Sequence, residues 1–260
     1  MIHTLGVQLY TVRDYMKDEE FFDLTLKKMA AMGYTEAHTA TFFTPIERAK
    51  ALLDKHGFTV VGTHYNLNNI LNNHEETIRY HEILGTKNIG IGGMFGDLST
   101  PAAVRHFIGD YNRAAEYYAK FGYKLTYHNH WFEFHRVDGN KTVMDLLADE
   151  LDPKNVTFVL DTCWVAYAGA DVRYWMEKLS GRIDILHLKD LRACPDPENR
   201  MGVNKISEIG NGNLYWDGIM ETAEKIGVKS YIVEQDHTFA TGSPFDSLKT
   251  SADYLRKYMK

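Results

Sequence analysis

Residues 156–190 read VTFVLDTCWVAYAGADVRYWMEKLSGRIDILHLKD. The stretch opens on a short β-branched and aromatic run, 156–160, that ends at Asp161. A helical segment over 171–179 follows and stops near Gly181, and a second apolar run, 183–188, ends in His187-Leu188-Lys189-Asp190. Short apolar runs alternating with longer segments of helical period are the pattern of repeated βα units. Working outward, the same beat predicts strands over 5–10, 34–39, 59–65, 88–92, 124–128 and 230–233. Helices are predicted over 19–32, 45–57, 74–84, 101–121, 142–148, 215–226 and 244–258. In the first of these Phe22, Leu24, Leu26, Met29 and Met32 supply an apolar stripe. Glycines 33, 57, 85, 122, 181 and 227 follow one helix after another, where a C-cap belongs.

Eight such units in 260 residues favour a closed (β/α)₈ barrel over an open doubly wound sheet. No linker, low-complexity stretch or charge block divides the chain, so one domain over 1–260 is expected. The connection over 192–212 is long for a βα loop. A net charge of −6 argues against a nucleic-acid partner. Two cysteines, Cys163 and Cys194, give no disulfide framework and fit a reducing compartment. The start lacks the regions of a signal peptide, and no apolar run approaches the roughly 20 residues that span a bilayer. A cytoplasmic location without a membrane partner is the expectation.

Barrel active sites lie at the C-terminal ends of the strands. Those ends carry Gln8 to Arg13, His38, His64 and Asn66, Tyr127-His128-Asn129-His130-Trp131-Phe132-Glu133, Asp161, His187 to Asp190, and Glu234-Gln235-Asp236-His237. Imidazoles and carboxylates converging on one mouth suit a divalent cation, with mixed N/O ligation pointing to a catalytic site. Asp161, His187 and Glu234 are the predicted ligands, with His128 chosen over Glu133 as the fourth. Plainer readings stand beside these. Asp161 can cap a helix, Lys189-Asp190 can be an ion pair, and Cys163 has no base partner and packs. Phe95, Phe239 and Phe245 mark a lid or a subunit contact, which leaves a homo-oligomer open.

The chain resembles, over its whole length, the xylose isomerase-like barrels, which include sugar phosphate isomerases/epimerases, inosose dehydratases, ketose 3-epimerases and hydroxypyruvate isomerases. Residues 6–13 (GVQLYTVR), Tyr127 to His130, Leu160-Asp161-Thr162, His187 to Asp190, Gly210-Asn211-Gly212 with Trp216, and Val233-Glu234 carry the resemblance. In that family the ligands come from strands five to eight as Glu, Asp, His and Glu, so the resemblance implies Asp161, His187 and Glu234. His128 departs from it, as does His38 where many relatives carry Glu, and both weaken transfer of a two-glutamate epimerase mechanism. The Tyr-His-Asn-His form is similar to the inosose dehydratase-like branch.

The expected activity is that of a divalent-metal-dependent sugar isomerase/epimerase working on a ketose or keto-sugar through an enediolate, with Mn²⁺ first and Mg²⁺, Co²⁺ or Zn²⁺ as alternatives. Glu133 and Glu234 are the acid/base candidates and Lys189 the group that neutralises a developing oxyanion. His38, His64, His130 and Trp131 are expected to bind the sugar. The alternative is a lyase, dehydratase or hydratase on 3-keto-glycosides or inososes. Less favoured are a metal-dependent endonuclease, for which the chain is too acidic and too poor in ligands, and a non-catalytic barrel.

Overall fold

The computed structural model describes residues 2–40, 42–94, 96–237 and 241–260. Phe95 and Phe239 lie outside the described residues. The elements run β1 (Leu5–Gln8), α1 (Glu19–Ala31), β2 (Tyr34–Thr39), α2 (Ile46–Lys55), β3 (Thr59–Thr63), α3 (Leu67–Asn72) and α4 (His74–Leu84). Next come β4 (Asn88–Ile91), α5 (Pro101–Ala119), β5 (Lys124–His128), a small hairpin of β6 (Arg136–Asp138) and β7 (Lys141–Thr142), and α6 (Val143–Glu150). The chain closes with β8 (Val156–Asp161), α7 (Thr162–Tyr167), α8 (Val172–Lys178), β9 (Ile185–Leu188), the hairpin β10 (Asp190–Asp196) and β11 (Asn199–Ser207), α9 (Trp216–Ile226), β12 (Ser230–Val233) and α10 (Pro244–Leu255).

Eight parallel strands pair in the order β3-β2-β1-β12-β9-β8-β5-β4. Every residue of β8 is buried, as expected of a strand covered on both faces. The ring is nearly closed, and its seam between β3 and β4 is stitched differently from a ladder. The Tyr65 N–H donates to the Gly90 carbonyl at 2.7 Å. The Asn88 side chain donates to the Val61 carbonyl at 2.8 Å, and the Gly90 N–H to the Thr63 hydroxyl at 3.3 Å. Gly90 is what lets these strands approach, because a Cβ there would run into the Thr63 carbonyl and the Thr126 hydroxyl. Gly90→Ala is therefore expected to destabilise the barrel by about 1–3 kcal/mol through overpacking. Urea unfolding measures it, and an unchanged midpoint would show that the seam is slack.

Local chemistry sets the boundaries. Asp18 caps α1 by accepting from the Phe21 N–H at 2.9 Å. Phe22, Leu26 and Met29 turn inward there, while Leu24, expected in the stripe, is exposed. The first strand is shorter than its pattern, since the chain coils into a tight 3₁₀ turn over Leu9–Tyr15. The region expected as a long loop, 192–212, is largely the antiparallel hairpin β10–β11, whose register runs from Asp190↔Ser207 to Asp196↔Asn199. Phe245 packs against Tyr15 and Lys28 of its own chain. Both cysteines are free, and Cys163 is buried. No helix among the described residues is long and apolar enough to cross a membrane.

Asp190 ties the foot of that hairpin. Its carboxylate accepts from the backbone N–H groups of Leu191 (2.8 Å), Gly210 (2.9 Å), Gly212 (3.2 Å) and Leu214 (3.2 Å), and from the Trp216 indole at 2.7 Å. Gly212 has no room for a side chain, because a Cβ would overlap the Asp190 carboxylate. The Gly-Asn-Gly…Trp motif is thus a loop wrapped around one buried anion. Asp190 does not pair with Lys189.

Candidate metal centre

The side chains of β8, β9, β12 and β5 meet at the barrel mouth. His128, Asp161, His187 and Glu234 each offer one ligand atom, all within 4.8 Å of one another, and all four residues are buried. Position along each strand decides which face a side chain takes. Side chains alternate along a strand, so His187 and Lys189 point into the mouth while Leu188 packs in the core. Glu234 follows β12, its N–H held by the Leu188 carbonyl at 3.1 Å.

Asp161 serves two purposes. Its Oδ1 caps α7 by accepting from the Trp164 N–H at 3.0 Å. Its Oδ2 faces the Lys189 ammonium at 3.0 Å and His128 Nε2 at 3.4 Å. The helix-capping reading holds, and it occupies one oxygen only, leaving the other toward the cluster. The helix it caps, 162–167, was not expected from Thr162-Cys163-Trp164.

The histidines are turned for ligation. His187 Nδ1 lies 2.9 Å from Glu234 Oε2, and His128 Nδ1 lies 3.3 Å from the Gly92 carbonyl. A carboxylate and a carbonyl only accept, so each ring carries a proton on Nδ1. For His128 the partner is a backbone carbonyl, the kind of outer contact that orients an imidazole. The His187–Glu234 contact instead joins two members of the cluster itself. Both Nε2 atoms are buried without a hydrogen-bond partner among the described residues.

Charge gives the same answer. Lys189, 1% exposed, sits 3.0 Å from Asp161, 2.9 Å from Glu234 and 2.9 Å from Asp236. One ammonium thus faces three carboxylates. Burial disfavours its charge, yet Asp161, Glu234 and Asp236 outweigh that and hold the Lys189 ammonium well above the usual lysine range. Burial would raise the Glu234 carboxyl, but Lys189 and His187 hold it well below the ordinary value; Asp161 is lowered likewise by Lys189 and His128. Burial pushes Asp236 up despite Lys189. His128 is disfavoured as a cation by burial, yet the Asp161 carboxylate keeps it above its normal range. Two imidazoles and two carboxylates gathered in the interior are a donor set that can hold a divalent cation.

Above it opens a cavity of about 550 Å³, lined by Tyr10, Arg13, His64, His130, Trp164 and Asp236 among others. Burial leaves His64 and His130 neutral, holding the first well below its usual range and the second near 3. Tyr10, Arg13, Trp164 and Asp236 were not singled out from the sequence, although all but Trp164 fall within strand-end motifs. Arg13 lies over the Tyr10 ring at 4.1 Å and donates to the Asp236 carbonyl at 3.1 Å.

Other expected residues fall elsewhere. His38 is buried against the rings of His64 and His187 and does not line the cavity. Trp131 is 49% exposed, outside the cavity lining, and packs on Phe132 and Tyr167. Glu133 is buried apart from the four-residue cluster. Its oxygens accept from the Tyr127 hydroxyl at 2.8 Å and the His130 N–H at 2.8 Å.

Known proteins share this architecture. An inosose dehydratase from Geobacillus thermodenitrificans is 26% identical over 160 residues, covering 56% of this chain and 51% of that protein. The chain spans about half the length of the curated relatives it matches. A sugar phosphate isomerase/epimerase from Parabacteroides distasonis superposes with a TM-score of 0.78 at 22% identity, covering 98% of this chain and 94% of that one. A xylose isomerase-like barrel from Mycobacterium smegmatis, in complex with magnesium, superposes with a TM-score of 0.69 at 13% identity, over 99% and 98% of the two chains. Residues 26–258 match the family described as xylose isomerase-like TIM barrel. With eight parallel strands, helices around them and that match over most of its length, the chain belongs to the xylose isomerase-like TIM barrel family.

Proposed function

We propose that this chain is an enzyme that binds a divalent cation through His128, Asp161, His187 and Glu234 and removes a proton beside the carbonyl of a keto-sugar. The observation that carries this is the buried four-residue cluster, ligand atoms within 4.8 Å, at the floor of an open cavity. A divalent ion bound there supplies Lewis acidity to a carbonyl and a neighbouring hydroxyl. Mixed imidazole and carboxylate ligation suits Mn²⁺, Co²⁺ or Zn²⁺ and tolerates Mg²⁺, with Mn²⁺ our first choice.

The chain's own residues do the rest. Glu234 lines the cavity as a carboxylate beside the proposed ion, and we assign it the role of proton acceptor on that position. The Lys189 ammonium, fixed by three carboxylates, neutralises charge that develops on a substrate oxygen. Glu133 acts through His130, whose backbone it holds in the cavity wall. The inosose dehydratase relatives support a sugar-like substrate.

Glu234 and Asp236, the carboxylates of the lining, both flank Lys189. Proton removal and protonation of a departing oxygen then come from one cluster, which favours elimination, a dehydratase or lyase outcome. Isomerisation or epimerisation is the second reading, in which Glu234 returns the proton it removed at another face or carbon, while the N–H groups of His64 and His130 in the lining hydrogen-bond substrate oxygens.

Proton NMR in D₂O tests this, using Mg²⁺- or Zn²⁺-loaded protein against 3-keto-glucosides, inososes and ketoses. Deuterium entering beside the carbonyl with loss of water or an aglycone is the expected result. A deuterated epimer or isomer selects the second reading. No exchange with any of the three classes, with the ion bound, overturns the proposal.

A further inference from the structure

Two sets of side chains compete for one ion at the barrel mouth. Besides His128, Asp161, His187 and Glu234, the imidazoles of His38, His64 and His187 also bring ligand atoms within 4.8 Å of one another. His187 belongs to both sets. An all-imidazole triad attracts Zn²⁺ and its neighbours strongly, so something must decide which set is available.

The deciding group is Gln8, fully buried at the end of β1. Its Oε1 accepts from the Tyr10 N–H at 3.3 Å, the contact that starts the 3₁₀ turn. A backbone N–H only donates, so the amide oxygen must lie on that side. The Nε2 amino group therefore faces the other way, where it meets His38 Nδ1 at 2.8 Å and His64 Nδ1 at 3.3 Å. The two amino protons supply both contacts, and each Nδ1 must accept. Both rings are then neutral, with their proton on Nε2. One nitrogen of each ring has its lone pair taken by Gln8 and the other carries hydrogen, so neither ring has a lone pair left for a cation.

We infer that Gln8 is a positioning residue that locks the tautomers of His38 and His64 and thereby confines the cation to the carboxylate-bearing set. The two rings serve instead as buried N–H donors. Their Nε2 atoms have no acceptor among the described residues, and His64 lies in the cavity wall, where a substrate oxygen can accept from it. This rests on the metal reading above.

The test reads tautomers directly. Wild-type protein carrying ¹⁵N-histidine, with Mg²⁺ added, gives ¹⁵N–¹H correlation patterns that distinguish Nδ1–H from Nε2–H; His38→Gln and His64→Gln assign the two signals. Nε2–H on both rings is expected, and Nδ1–H on either overturns the inference. Gln8→Glu is the functional arm, because a carboxylate has only acceptors and draws a proton to each Nδ1, freeing the Nε2 lone pairs. The ratio of Zn²⁺ to Mn²⁺ affinity is expected to rise on the order of tenfold in that variant. An unchanged ratio in a folded variant also overturns it, and if Gln8→Glu does not fold, the wild-type spectrum decides alone. If titration shows that the wild type binds no divalent ion, the metal reading fails while the tautomer result stands separately.

Discussion

Asp161→Asn, His187→Ala and Glu234→Gln are each expected to bind a divalent ion at least about tenfold more weakly than the wild type. Turnover of the eventual substrate should fall by about three orders of magnitude, the scale of losing a several-kcal/mol Lewis acid. Asp161→Asn is the cleanest of the three. The asparagine oxygen still accepts from the Trp164 N–H, so α7 keeps its cap while the charge facing Lys189 and His128 disappears. Glu234→Gln removes a cavity carboxylate and its charge, while its amide oxygen can still accept from His187. Elemental analysis after dialysis against limiting Mn²⁺, with circular dichroism to verify folding, makes the measurement. Full occupancy in all three variants would dismantle the ligand set.

Lys189→Met carries the largest expected effect on stability. It leaves Asp161, Glu234 and Asp236 buried together without their counter-cation. Removing one partner of a buried ion pair costs about 3–5 kcal/mol, and a methionine stem replaces the lost packing, so the loss reports charge. In excess chelator the variant should unfold at much lower urea than the wild type. Mn²⁺ at a hundred times its dissociation constant should return about 2.7 kcal/mol. The pH dependence changes sign as well. In the wild type Asp161 and Glu234 titrate below their unfolded values, so their contribution is complete above about pH 4–5 and is lost as pH falls through the folded values. Without Lys189, burial dominates and raises those carboxyls, so the metal-free variant should gain stability on acidification from neutral pH. A variant as stable as the wild type in chelator would show that the three carboxylates do not share a charge deficit.

The barrel was legible because its signals are local and repeated. Strands such as 156–160 are rich in β-branched and apolar residues since helices and core cover both faces, and this one ends at a charged residue, Asp161. Glycines after the helices marked the returns. Three of the four clustered residues announced themselves as polar groups at the ends of successive apolar runs, and His128 followed from its place at the end of β5.

The misses have physical causes. Residues 192–212 read as a loop because a two-stranded ribbon at the rim has a half-exposed, mixed pattern with no core face behind it. The helix after Asp161 is six residues long, too short for a periodic stripe, and its cap is the same side chain that faces the mouth. Glu133 and Trp131 follow a strand end in sequence, but the chain turns through a short 3₁₀ segment that carries one into the interior and the other to the surface. Asp236 escaped notice because its importance lies in a contact with Lys189, 47 positions away.

Lys189 and Asp190 are adjacent in the chain and project to opposite sides of it. The first governs the electrical balance of the floor, the second gathers five N–H groups and so fastens the loop and ribbon that lie beside it. The hairpin grows from that second anchorage and makes no demand on the first. Its tip, around Asp196 to Glu198, can be lengthened, shortened or recomposed while the chemistry below stays in register. An architecture divided this way lets the ribbon vary at the periphery without disturbing the charges gathered at the centre.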